Sequence, residues 1–110
     1  MKIESFSWVI FLVAAVLEVG GDALIRLGMR GRGIVFILLG CIALGVYGVT
    51  VNQVRWEFSK LLGDYVGVFA VVSVSFGRIL FDERIPPTTF VGLLLVVLGG
   101  LIIQFGPELW

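Results

Sequence analysis

Long apolar stretches, interrupted at short intervals by glycine, proline and charge, set the pattern of this chain. No polar residue breaks the run from Trp8 to Leu17, and the segment from Gly33 to Val51 carries no charge at all. A helix rising 1.5 Å per residue needs about 20 mostly apolar residues to cross the hydrocarbon core of a bilayer. Four segments meet that need and predict membrane helices over about 7–27, 33–51, 65–81 and 87–105. The third is short and carries Arg78 near its end; the fourth is uncharged. The connections left over are Met29–Arg32, Asn52–Asp64 and Asp82–Pro86, so a single four-helix transmembrane domain occupies residues 1–110.

The punctuation supports this division. Gly28, Gly31 and Gly33 mark the first turn, Asn52 closes the second helix, and Pro86-Pro87 opens the fourth, where a missing N–H is harmless. Trp8, Trp56 and Trp110 fall near span ends, as interfacial tryptophans do. The first apolar run leads into Glu18 and continues without a small-residue cleavage signature, which makes it a span rather than a signal peptide.

Composition fits an all-α membrane protein. Hydrophobic residues make up 59% of the 110 positions and charged ones 15%, against roughly a quarter charged in soluble domains. Mean hydropathy is +1.11. Eight basic and eight acidic residues cancel and form no basic stripe, which excludes nucleic-acid binding. Histidine is absent and Cys41 is the sole cysteine, so zinc sites, histidine-based triads and internal disulfides are excluded. No enzyme, cofactor or metal site is expected. The odd loops hold Arg30, Arg32 and Arg84 against Lys2, Arg55 and Lys60 on the other side. Counting Arg26 and Arg78 as well tilts the odd loops weakly towards the cytoplasm. So small a bias permits insertion in both orientations.

Glu18 is the most informative residue. It lies near the middle of the first span, where an ionised side chain costs roughly 2.5–3.5 kcal/mol and normally faces the bundle interior or a wet cavity. Apolar surroundings favour the protonated form of a carboxyl, whereas a bound cation favours the ionised form. Such a group holds either a proton or a cationic substrate, which is the minimal chemistry of antiport. The competing reading is a carboxylate neutralised by an arginine and serving assembly alone. Asp22 and Arg26 follow at intervals of four on the same helix face. Asp22 is therefore either a second cavity carboxylate or the partner of Arg26 in an i,i+4 pair. Arg78 and Asp82 repeat that spacing and predict a structural pair. Tyr47 and Tyr65 are candidates to hydrogen-bond a carboxylate or face a cation, or are ordinary packing residues.

Small residues mark close helix approach in lipid. Gly67, Ala70, Ser73 and Gly77 form such a face on the third helix, and Cys41, Gly45 and Gly48 form one on the second. Gly92 and Gly99 lie two turns apart on the fourth, predicting a subunit seam.

Several of these segments together resemble the small multidrug resistance family of the drug/metabolite transporter superfamily. Leu17-Glu18-Val19-Gly20 is similar to that family's first-helix signature. Tyr65-Val66-Gly67 is similar to its third-helix aromatic-small-Gly element, with tyrosine in place of tryptophan. Glu83-Arg84 resembles its third loop, and Gly92 to Gly100 its fourth-helix dimerisation motif. The departures are Leu62 at a usual tyrosine, Asp22 at a usual small or hydroxyl residue, and no turn proline between Gln53 and Lys60. They mark a divergent branch. The resemblance implies an antiparallel homodimer of dual topology in a prokaryotic plasma membrane, exporting small cationic or amphipathic compounds by proton-coupled alternating access. Glu18 would carry proton and substrate, Tyr65 would position it, Asp22 would tune the cavity, and Gly92 with Gly99 would hold the dimer. The alternatives are transport of lipid-linked sugars or metabolites, and a non-transporting assembly subunit of a larger membrane partner.

Overall fold

The computed structural model describes residues 2–109, with side chains over 6–107; the interfacial placement expected of Trp110 lies outside the described residues. These residues form helices α1 (Lys2–Leu27), α2 (Ile34–Val51), α3 (Phe58–Leu80) and α4 (Pro87–Leu109), and no strand. The segments Phe6–Arg32, Ile34–Val51, Phe58–Leu80 and Pro87–Pro107 are each long and apolar enough to cross a membrane. Their outward positions are apolar too. Val9, Ile42, Ile79, Leu95 and Ile102 are all more than half exposed, as expected of side chains whose solvent is lipid.

The chain divides into two compact units, Met1–Val54 and Arg55–Trp110. The first is the α1–α2 hairpin. Its turn, Gly28–Arg32, is a kink in which Arg30 and Gly31 leave helical geometry, Gly31 at φ +116°, and Gly33 follows at φ +99° with its N–H donating to the Gly28 carbonyl oxygen. Gly31 and Gly33 both lie where a Cβ is disfavoured, so glycine lets the chain reverse here. The two helices then pack through glycine. A Cβ on Gly40 would sit 2.6 Å from the Gly21 carbonyl oxygen, and one on Gly28 would sit 2.6 Å from Ile37 Cγ1. The facing pairs Gly28–Ile37, Ile25–Gly40 and Gly21–Leu44 advance by three or four on each helix, which is one antiparallel register. The α2 stripe that packs is thus Ile37, Gly40 and Leu44. The expected stripe is one residue away: Gly45 and Gly48 meet open space and Cys41 is exposed. At the far end of α2 the Asn52 and Gln53 side-chain amides donate to the Gly48 and Val49 carbonyl oxygens at 2.8 and 3.2 Å, satisfying groups the helix end would leave open.

The second unit is the α3–α4 pair. Here the structure corrects an expected boundary, because α3 begins at Phe58 and not at Tyr65. The segment 52–64 reads as a polar loop because it holds Arg55, Glu57, Lys60 and Asp64. Its second half is instead an amphipathic helix start, burying Leu61, Asp64 and Tyr65 while Phe58 and Ser59 face outwards. Helices α3 and α4 touch at Gly63–Ile103, at Gly63 and Asp64 with Gly100, and at Gly67–Val97. The end of α3 is closed by the Gly77 carbonyl oxygen, which accepts from the Phe81 and Glu83 N–H groups at 3.2 and 3.1 Å. Asp82 makes the reversal at φ +51°, a conformation that Asp tolerates better than most residues.

Candidate functional site

Glu18 lies about 18 Å along the axis from Phe6, near mid-span of α1. It is half-buried, so the surrounding hairpin lowers its contact with lipid without sealing it. The next step of the α1–α2 register places Tyr47 opposite, and the Tyr47 hydroxyl donates a hydrogen bond to the Glu18 carboxylate. The glycine contacts at Gly21 and Gly40 explain how: with both Cβ atoms missing, the backbones approach closely enough for a tyrosine one turn on to reach across. A bond to a charged group contributes more than a neutral one, about 1.5–3 kcal/mol. The pair therefore ties the mid-span carboxylate of α1 to α2.

The other expected residues are placed differently. Asp22, one turn beyond Glu18, is exposed. Tyr65 belongs to the second unit, where it is 3% exposed and its ring lies 6.2 Å from that of Phe69. Arg78 and Asp82 form the expected pair, 2.8 Å apart and largely exposed. They border an open hollow of about 460 Å³ with Glu83, Arg84, Ile85 and Phe90. Gly92 and Gly99 meet open space within their own chain, whereas neighbouring Gly100 faces α3. No group of three or more His, Cys, Asp or Glu stands together among the described residues.

Two functional candidates escape sequence reasoning. Asp64 is 1% exposed and Gln104 is 3% exposed. Among the described residues, both Asp64 carboxylate oxygens and Gln104 Oε1 have no hydrogen-bond partner. The available signal was the spacing of Leu61, Asp64, Tyr65 and Val68, which fits a helix face once Lys60 is allowed inside the helix.

Comparison with known proteins agrees with a membrane assignment. Residues 5–108 match the family described as "Uncharacterised BCR, YnfA/UPF0060 family". A UPF0060 membrane protein of Saccharopolyspora erythraea is 36% identical over 93% of this chain and 94% of its own length. One from Mycobacterium marinum is 37% identical over the same shares. One from Streptomyces avermitilis is 36% identical over 90% of each chain. No solved structure matches the chain. With four spanning helices and relatives of this kind along nearly its full length, the chain is an integral membrane protein belonging to the YnfA/UPF0060 family.

Proposed function

We propose that this protein is a proton-coupled transporter of small cationic or amphipathic compounds, related to the small multidrug resistance family. The observation that carries the reading is the Glu18–Tyr47 pair, an oriented carboxylate at mid-span in a half-buried position. A carboxylate at that depth is costly unless occupied. A proton or a cation lowers the cost, and each excludes the other. Alternating occupancy then couples the two flows. Asp22, one turn towards the helix end and exposed, adds negative charge that attracts cations towards Glu18.

The working unit in this reading is an antiparallel homodimer in a prokaryotic plasma membrane. The near balance of basic residues permits both orientations, and the unfilled faces of Gly92 and Gly99 suit a second helix packing against α4. In proteoliposomes with an imposed proton gradient, uptake of a quaternary ammonium compound is expected from the wild type and not from Glu18→Gln. Equal flux in both would overturn the proposal.

A further inference from the structure

Asp64 stands about 9 Å into α3 from Phe58, inside a spanning segment. A buried acceptor without a donor costs free energy, most of all when charged. Three such oxygens occur together in the second unit: two on Asp64 and one on Gln104. The α3–α4 register places Asp64 opposite Gly100, and Gln104 follows Gly100 by one turn. Side chains lean towards the N-terminus of their own helix. In this antiparallel pair Asp64 therefore leans towards the Gln104 level and Gln104 towards the Asp64 level. Gly100, with no side chain, lets α4 lie close to α3 there, its Cβ position 3.8 Å from the Gly63 and Asp64 carbonyl oxygens.

We propose that Asp64 and Gln104 form a second proton-holding site in the membrane, in which neutral Asp64 donates its O–H to Gln104 Oε1. One proton satisfies two of the three orphaned oxygens at once. A metal cation fits less well, since hard cations collect six or more oxygen ligands and this pair offers three. On α3 the neighbouring cation is Lys60, one turn before Asp64 and close enough for its charge to act there. Its ammonium nevertheless lies 5.2 Å from the Trp56 ring centroid, where a cation–π contact holds it. The other charge on α3, Arg78, is bonded to Asp82 at the far end. Helix α4 carries no charge from Pro87 to Pro107. The site is independent of the transport reading, because it uses neither Glu18 nor Tyr47.

Infrared spectroscopy of the full chain in lipid bilayers at neutral pH tests this, since a carboxylic acid has a C=O stretch that a carboxylate lacks. The wild type is expected to show an acid band that Asp64→Asn removes and Glu18→Gln leaves in place. Gln104→Leu, which keeps the acid but deletes its acceptor, should shift that band to higher wavenumber. Absence of the band, or its survival in Asp64→Asn, would overturn the protonated assignment, and an unshifted band in Gln104→Leu would overturn the partnership. Loss of the wild-type band on replacing choline by sodium chloride would show a cation site instead. If Asp64→Asn does not fold, the Gln104→Leu shift decides.

Discussion

The Tyr47 hydroxyl of α2 is hydrogen-bonded to the Glu18 carboxylate of α1, on the same antiparallel register that brings Gly21 against Gly40. Chemistry and packing are thus one arrangement: the close approach that glycine allows sets the reach of the tyrosine. Tyr47→Phe removes the donor and keeps the ring. It is expected to destabilise the hairpin by about 1.5–3 kcal/mol. Combined with Glu18→Gln, its cost should be less than the sum of the two single changes, because both act on one bond. Thermal unfolding in detergent, run as a double-mutant cycle, measures the coupling.

Glycine positions on α2 separate packing from mere composition. Gly40→Ala places a methyl 2.6 Å from the Gly21 carbonyl oxygen, and overpacking of this kind costs about 1–3 kcal/mol. Gly45→Ala meets nothing within 4 Å and should be neutral or stabilising by up to about 1 kcal/mol through helix propensity. The same melts read both, and equal effects would show that the packed stripe is misassigned.

Much of this was legible in the chain. Four spans, the Gly28–Gly33 turn, the Asn52 helix end and the Arg78–Asp82 pair follow from apolar run length, φ-permissive glycine and i,i+4 spacing. Glu18 stands out because ionisable groups are rare at that depth. The start of α3 was hidden because Lys60 and Asp64 resemble loop charges until Leu61 and Tyr65 are seen to share their face. On α2 the face that packs against α1 is Ile37, Gly40 and Leu44, while Gly45 and Gly48 meet open space within the hairpin; these glycines are equally small, and only the partner helix decides which is covered. Asp64 was missed for both reasons: it fell in a segment read as loop, and its burial depends on α4.

The turn carries its own test. Gly31→Ala puts a Cβ on a residue at φ +116°, a conformation costing about 1–2 kcal/mol for L-residues. Space is no obstacle, since nothing lies within 4 Å. A lowered unfolding midpoint with unchanged helicity by circular dichroism is expected. By contrast Arg78→Ala breaks a pair that is 62% and 92% exposed and should change stability by less than about 1 kcal/mol.

Gly92 and Gly99 belong to the proposed dimer. Replacing either by leucine fills space that is open within the chain, so the hairpins should keep their stability while self-association weakens, because the bulky side chain keeps a second helix from approaching α4 closely. Energy-transfer titration against lipid concentration reads the association. Unchanged association in both variants would move the subunit seam to another helix.

The central claim, that proton and cation compete for Glu18, is tested most directly by proton release. Purified protein in weakly buffered detergent near neutral pH is mixed with a quaternary ammonium compound while a glass electrode follows pH. The account predicts acidification by the wild type that saturates with ligand and is missing from Glu18→Gln. Binding without proton release, or the same release from Glu18→Gln, would contradict it.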